Sequence, residues 1–434
     1  MARRGTEGQG LGLGRPEVNG RLNRTRPMPM SRLIHCIKRV DRGSYFRAKG
    51  TECKSAHRRL LPTLLQGDVM TQMMKAAIFV EPGRIDVVEK PIPDVGPNDA
   101  LVKITTTTIC GTDVHILKGE YPVAKGLTIG HEPVGVIVKL GSAVQGYKEG
   151  QRVIAGAICP NFNSYAAQDG ASSQDGSYLA TSGRCGCHGY KLTAGWRFGN
   201  LIDGAQAEYI LVPDAQGNLA PVPDGLTDEQ VLMCPDIMST GFAGAENANI
   251  KIGDVVVVFA QGPIGLCATA GAKLRGASII IGVDGNEERL AVAKKLGADV
   301  TLNFKTQDVV SEVLKITGGK GADSAIEALG TQGTFENALR CIRPGGTLSS
   351  LGVYSEDLKI PLDAFGAGLG DHRINTALCP GGKERMRRLM SVIESGRIDL
   401  SPLVTHKYKL EDIVAAYDLF SHQRDGVLKV AIKT

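Results

Sequence analysis

From Asp254 onward the chain alternates short aliphatic runs with longer amphipathic ones, and no other feature limits its fold so strongly. DVVVVFA reads as a fully buried strand, IGLCATAGAKLRG as a helix ending at Gly276, SIIIGVD as a strand and NEERLAVAKKLG as a helix. DVTLNF, ADSAIEALG and GTLSSLGVY continue as strands, with QDVVSEVLKITGG and FENALRCIRPG as the helices among them. Strands that are apolar on both sides need a helix layer over each face, so the pattern predicts an α/β architecture with a parallel, doubly wound sheet. Ahead of it, from Met74 to about Gly150, lie KAAIFV, IDVVEKP, ALVKITTTTI, VGVIVKL and RVIAGAI, short β-branched runs broken by Pro and Gly. Their spacing predicts an irregular β-barrel. The stretch from Gly381 to Thr434 adds helices and a last strand, VLKVAIKT.

A chain of 434 residues is long enough for two domains with substantial cores. Its 42% apolar and 22% charged residues are ordinary for a globular protein, and its 55 glycines point to many tight turns. No apolar run reaches the length of a membrane span. The net charge of +5 is unevenly placed: residues 1–73 hold fifteen basic and five acidic residues, a balance of +10, so the remainder carries −5. A mildly acidic globular region argues against nucleic acid as its ligand. Ten scattered cysteines lack the density of a secreted disulfide scaffold and suit a reducing compartment, the cytoplasm. For the basic segment 1–73 the composition predicts disorder. Three readings compete for it: a translated upstream stretch with the true start at Met70, Met73 or Met74, an organelle-targeting segment, or a weak nucleic-acid arm. The first is favoured because a strand pattern begins at once at Met74.

The first turn of the α/β region is FAQGPIGL. Against the dinucleotide fingerprint it reads Ala260, Gly262 and Gly265, with alanine where the first glycine is usual and with Pro263 and Ile264 between the other two. A strand precedes it, a helix follows, and an acid comes about 20 positions on. Gly262 would let the backbone approach a pyrophosphate resting on the positive end of the helix. Asp284 ends the second strand, where a carboxylate can accept hydrogen bonds from ribose hydroxyls and would repel a 2′-phosphate. Gly285 and Asn286 follow without an arginine, so the expected cofactor is NAD rather than NADP.

Residues 127–141, LTIGHEPVGVIVKLG, set His131 and Glu132 in a small, aliphatic stretch where burying either without a partner costs several kcal/mol. Upstream, TTTICGTDVH holds Cys110, Thr112, Asp113 and His115; downstream, CPDIMSTG holds Cys234 and Asp236. A catalytic zinc takes three ligands from Cys, His and carboxylate and leaves a fourth position open. Cys110, His131 and Asp236 would supply S, N and O, with Glu132 beside the ion, held by its charge, as a carboxylate that can approach or withdraw during ligand exchange.

GHEPVGVIVKLGSAV resembles the zinc signature of medium-chain alcohol dehydrogenases, and ICGTDVH and the dinucleotide turn fall where that family has them. Within it the chain is most similar to bacterial secondary alcohol dehydrogenases, through AGWRFGN, DIMSTGFAGAE, AGAKLRGA and LCPGGKERMR. The resemblance spans Met74 to Thr434 and implies a GroES-like catalytic barrel, a Rossmann domain, one zinc ion and a homotetramer. The implied division is 74–238 for the first segment of the catalytic domain, 239–378 for the NAD-binding domain and 379–434 for the catalytic return, after the extension 1–73. It favours Asp236 over Cys234 as the third ligand. The related thermophilic and clostridial enzymes prefer NADP and lack an acid where this chain has Asp284. The family's structural zinc lobe needs four closely spaced cysteines. Here Cys159 is followed by a polar insert and then by Cys185, Cys187 and His188, a spacing wrong for that lobe; a surface loop with reduced thiols is expected, with a novel second metal site as the alternative.

The resemblance also assigns roles. Thr112 would take the alcohol proton and His115 would pass it to solvent. Trp196, Leu378 and Cys379 would wall a pocket for a small or medium secondary alcohol or ketone. Two rival readings are a polyol or amino-alcohol dehydrogenase of the same superfamily, which needs a more polar pocket, and a metal-free reductase-like binding protein, whose relatives drop the GHE and cysteine ligands.

Overall fold

The computed structural model describes residues 72–175 and 195–434. The expectations for the basic extension up to Thr71 and for Cys185, Cys187 and His188 lie outside the described residues.

The barrel half begins with a hairpin of β1 (Met73–Glu81) and β2 (Arg84–Pro91), antiparallel and turned at Gly83. The main barrel sheet is built from β3 (Ala100–Thr108), β4 (Val134–Leu140), β5 (Arg152–Ala155), β6 (Tyr209–Val212) and β7 (Leu219–Pro221). β3 pairs with both β4 and β6, and β5 joins β4 to β7, all antiparallel. VGVIVKL forms β4 over the predicted seven residues, whereas RVIAGAI is a strand only over its first four. Asp228 ties this sheet together: its carboxylate accepts from Thr105 Oγ1 at 2.6 Å, Thr106 Oγ1 at 3.1 Å and Arg152 at 2.7 Å.

The second half is the predicted parallel sheet. Its strands are β8 (Val255–Phe259), β9 (Ile279–Asp284), β10 (Val300–Asn303), β11 (Ala322–Glu327), β12 (Ile342–Ser350) and β13 (Arg373–Thr376). Their spatial order is β10-β9-β8-β11-β12-β13, so the order reverses between β8 and β11 and opens a crevice at their carboxyl ends. The helix expected through FENALRCIRPG stops at Cys341, and the chain enters β12 four residues before the predicted GTLSSLGVY. Pro344 has no N–H to continue a helix, and the β11–β12 register slips between Ala322 and Ser324, which absorbs the extra residues. The edge strand β13 was not expected. Its residues Arg373–Thr376 are polar or half-buried, so they show no apolar alternation.

The return segment contributes helix Lys383–Glu394, strand β14 (Val404–Lys409), helix Ile413–Ser421 and strand β15 (Lys429–Lys433). β15 pairs antiparallel with β3, which brings the end of the chain into the barrel sheet. The two halves share one core: Val134 and Ile154 of the barrel pack in the same cluster as Val256 and Val258 of the parallel sheet, with Cys234, Ile237 and Met238 among them. Cys159 is fully buried and not on a surface loop as expected, its thiol lying 3.6 Å from the Pro213 carbonyl. The physical reason is packing against Ala155, Phe198 and Leu219 in the barrel core.

β3 and β4 meet closely at Gly135, where an added Cβ would lie 2.2 Å from the Lys103 carbonyl oxygen. Gly135→Ala must push these hydrogen-bonded strands apart, and a loss of about 1–3 kcal/mol in chemical denaturation is expected. An unchanged denaturation midpoint would contradict this packing.

Candidate metal centre and cofactor turn

Three distant pieces of chain converge where barrel and parallel sheet meet. β3 ends at Thr108, and Cys110 caps the short helix Gly111–Leu117, its extended backbone aiming the thiol inward. His131 follows Gly130, which takes φ +90°; a Cβ there would also strike the Gln206 side chain at 2.5 Å. Asp236 sits in the π-helical turn Cys234–Met238, which leads directly into helix Ser239–Asn247. Such turns distort the helical ladder and often mark functional positions.

These pieces put one ligand atom each from Cys110, His131, Glu132 and Asp236 within 4.8 Å of one another. Cys110, His131 and Glu132 are buried, and Asp236 is 9% exposed. Cys110 Sγ stands 3.3 Å from Asp236 Oδ2, and His131 Nε2 stands 3.5 Å from the same oxygen. Around a tetrahedral zinc, with Zn–S about 2.3 Å and Zn–O about 2.0 Å, an S,O pair stands about 3.5 Å apart and an N,O pair about 3.3 Å. The residues therefore fit a zinc ion in donor type and in spacing. Burial pushes the Cys110 thiol up, so without a cation it would stay protonated; a metal reverses that. Asp236 Oδ1 accepts from Thr240 Oγ1 at 3.0 Å, which fixes the carboxylate and leaves Oδ2 toward the centre. Burial acts to raise its pKa, but the His131 hydrogen bond and charge override that and hold it well below the usual carboxylate range. Cys234 lies outside the group, its thiol 3.8 Å from Met238 Sδ.

Two residues without an assigned role in the sequence reading belong to this centre. Asp113 Oδ1 faces His131 Nδ1 at 3.4 Å, while its Oδ2 accepts from the Cys110 amide at 2.9 Å and from Gln206 Nε2 at 3.3 Å. Gln206 in turn accepts from the Tyr417 hydroxyl at 2.9 Å. Such a carboxylate fixes the tautomer and orientation of a ligating imidazole. Lys429, 1% exposed, brings its ammonium to Glu132 Oε1 at 3.0 Å and Oε2 at 2.8 Å. This corrects the expectation that a metal's charge alone would hold the glutamate. Burial would lower the Lys429 pKa, but the charge of Glu132 and its neighbours raises it, so the ammonium persists.

Trp196 stands edge-on to His131 with ring centroids 5.9 Å apart, and its indole N–H donates to the Phe198 carbonyl. The Tyr121 ring also packs on the indole, tilted, with centroids 4.8 Å apart. Cys379 and the half-buried Leu378 belong to the same apolar cluster, and the Cys379 thiol rests 3.7 Å from the Asp236 carbonyl. Thr112 Oγ1 is 3.8 Å from the Cys110 thiol. His115, three residues on along the same helix, is exposed and pairs with Glu120.

At the crevice, Gln261 donates its amide to Asp284 Oδ2 at 2.7 Å and Asn286 donates to Oδ1 at 2.9 Å, fixing the carboxylate at the end of β9. The Asn286 side chain caps helix Glu287–Leu296 by accepting from Glu288 and Arg289 amides. Gly262 begins helix Pro263–Leu274, and a Cβ there would meet no protein atom within 4 Å, so the space before the helix end is open. At Gly265 a Cβ would lie 1.8 Å from the Ala260 carbonyl oxygen, so strand and helix pack directly on each other. Ala260 holds φ +68°, a left-handed conformation that glycine adopts more readily. The exposed Phe304 ring lies beside Gly285 at the rim, a candidate ligand contact that the sequence reading missed.

Residues 96–224 match the family model described as alcohol dehydrogenase GroES-like domain, and residues 263–395 match that of zinc-binding dehydrogenase. An alcohol dehydrogenase of Cupriavidus necator is 80% identical over 84% of this chain and 100% of its own length. The NADP-dependent isopropanol dehydrogenase of Thermoanaerobacter brockii is 36% identical, over 83% of this chain and 99% of its own length. Among solved structures, an alcohol dehydrogenase from Thermus sp. ATN1 superposes with a TM-score of 0.72 at 30% identity, over 83% of this chain and 99% of that one.

Loss of any of the three converging side chains would remove one of the S, N and O donors that fit a zinc ion. Cys110→Ser, His131→Ala and Asp236→Asn should each weaken zinc retention more than about 100-fold, beyond the effect usual for an outer partner such as Asp113. Metal analysis after dialysis checks this; one zinc per chain retained by any of the three would contradict it.

Proposed function

The chain belongs to the zinc-type alcohol dehydrogenase family, and from that membership we propose that it interconverts small or medium secondary alcohols and their ketones, with NAD as hydride carrier and one catalytic zinc. The observation that carries this reading is the buried S, N and O donor set of Cys110, His131 and Asp236 at zinc-compatible spacing beneath Trp196. When bound, zinc supplies a Lewis acid that lowers the pKa of the alcohol, and the nicotinamide ring supplies the hydride acceptor. Cys110, His131 and Asp236 would hold the ion. Thr112 would relay the alcohol proton, its hydroxyl accepting it as its own proton moves on toward the exposed His115 of the same helix, which releases it to water. Trp196, Leu378 and Cys379 exclude water and select an apolar substrate.

Asp284 supports NAD. Its carboxylate is fixed at the end of β9 by two backbone amides, where ribose hydroxyls can donate to it and a 2′-phosphate would meet like charge. In this respect the proposal departs from the Thermoanaerobacter brockii relative, which is named as NADP-dependent. Ala260, Gly262, Pro263, Ile264 and Gly265 would cradle the pyrophosphate at the helix end. Asn286 contributes by capping the next helix and holding Asp284 through its amide.

The proposed division assigns 74–238 and 379–434 to the catalytic domain and 239–378 to the cofactor domain; pairing of β15 with β3 supports the return. A homotetramer in the cytoplasm completes the reading. Leu362 and Leu369, 74% and 85% exposed between β12 and β13, support self-association, and the unpaired thiols among the described residues suit a reducing compartment.

The test is a panel of C2 to C8 alcohols and ketones assayed with NAD and with NADP. Secondary alcohols with NAD should give the highest kcat/KM. Asp284→Gly should cut the preference for NAD over NADP about tenfold or more, equivalent to about 1.4 kcal/mol. Discrimination undiminished in that variant, or activity that survives full zinc removal, would contradict the assignment.

A further inference from the structure

Arg197 directly follows Trp196, and its buried guanidinium lies between two carboxylates. One nitrogen donates to Asp175 Oδ2 at 3.1 Å and another to Asp214 Oδ2 at 3.3 Å. Asp175 belongs to the polar insert after Cys159, whereas Asp214 stands just past β6 of the barrel. Asp175 Oδ2 also accepts the Asn161 amide at 2.8 Å, so one oxygen closes the stretch 161–175 and receives the guanidinium. The Arg197 carbonyl accepts the amides of Asn200, Leu201 and Ile202, which makes this residue the pivot of the turn after Trp196.

The insert also meets the residues assigned to the substrate wall. Ser173 Oγ donates to the Cys379 carbonyl at 3.1 Å. The Ser173 carbonyl packs on Gly195, where an added Cβ would lie 2.6 Å from that oxygen. Cys379 and the backbone just before Trp196 therefore both lean on 161–175. Within its own turn, Trp196 donates its indole N–H to the Phe198 carbonyl and accepts from Asn200 Nδ2 at 2.9 Å. The Arg197 fork then joins that turn to the insert on one side and to the barrel on the other. A planar guanidinium with donors in fixed directions suits this task, because it can hold two carboxylates at once. Stability alone asks for less, since apolar side chains of similar volume often serve as well as a buried ion pair.

We propose that Arg197, gripped by Asp175 and Asp214, is a positioning residue that sets how far Trp196 intrudes on the pocket, so that the insert limits the length of alcohol admitted. The inference rests on the substrate pocket assigned above. Arg197→Lys keeps the charge but replaces the fork with a single ammonium that cannot hold both carboxylates in the same geometry. Asp175→Asn keeps the shape of the side chain and removes its charge. Asp228→Asn is the control: it too removes a carboxylate charge, but its partners Thr105, Thr106 and Arg152 lie in the barrel sheet.

Trp196 is the chain's one tryptophan, so indole fluorescence of the full-length protein reports this residue alone. Arg197→Lys and Asp175→Asn should each shift the emission to the red and open it to quenching by iodide. In the same variants the kcat/KM ratio for a C8 over a C4 secondary alcohol should rise about tenfold or more, through KM rather than kcat. Asp228→Asn should lower thermal stability and leave emission and ratio at their wild-type values. An emission or a ratio that stays at the wild-type value in whichever of the two variants folds would overturn the inference, as would an equal change in Asp228→Asn. Failure of both variants to fold would overturn it too, because the fork would then support the fold at large. A wild-type protein inactive on every alcohol of the panel would overturn the pocket reading itself, and this inference with it, whatever the fluorescence shows.

Discussion

The structure is organised around buried charge that the protein alone does not balance. Asp113, Glu132 and Asp236 lie with Cys110 and His131 in a largely buried region, and Lys429 is the one fully buried lysine facing them among the described residues. Isolated ionised groups in such surroundings cost far more than a domain's whole stability margin. Some of the deficit is met by fixed hydrogen bonds from Thr240, Gln206 and the Cys110 amide. A divalent cation among the thiol, the imidazole and the Asp236 carboxylate would meet the rest, and would tie metal binding to the stability of the surrounding fold.

That requirement explains the placement of the centre. The π-helical turn carrying Asp236 sits in the core shared by barrel and parallel sheet, where Ile237 and Met238 pack against both. The switch point between β8 and β11 opens at the carboxyl ends of the parallel strands, where a dinucleotide would bind. The barrel supplies rigid donors and the parallel sheet supplies a cradle. Helix Ser239–Asn247, which begins at the end of the Asp236 turn, packs on helix Pro263–Leu274 closely enough that a Cβ at Gly241 would lie 2.6 Å from the Cys267 Cβ. A shift of the cofactor helix would therefore press directly on the element that aims Asp236.

Much of this was legible from local patterns. The parallel sheet followed from aliphatic runs alternating with amphipathic ones, and the His131–Glu132 pair was conspicuous because its setting is otherwise apolar. What stayed hidden was set by partners distant in sequence. Lys429 reads as an ordinary strand lysine until the fold closes over the 297 positions that separate it from Glu132. Asp113 was visible in TTTICGTDVH, but its service to His131 depends on Gln206 and Tyr417. Edge strand β13 is too polar to announce itself by alternation. Cys159 looked like a loop residue because a polar insert follows it, although its own neighbours are core residues of the barrel.

X-ray absorption at the zinc edge of the purified full-length protein tests the central claim most directly. The account predicts one sulfur near about 2.3 Å, with the remaining donors nitrogen and oxygen near about 2.0 Å. A shell of three or four sulfurs, or protein that carries no zinc at all, would contradict it.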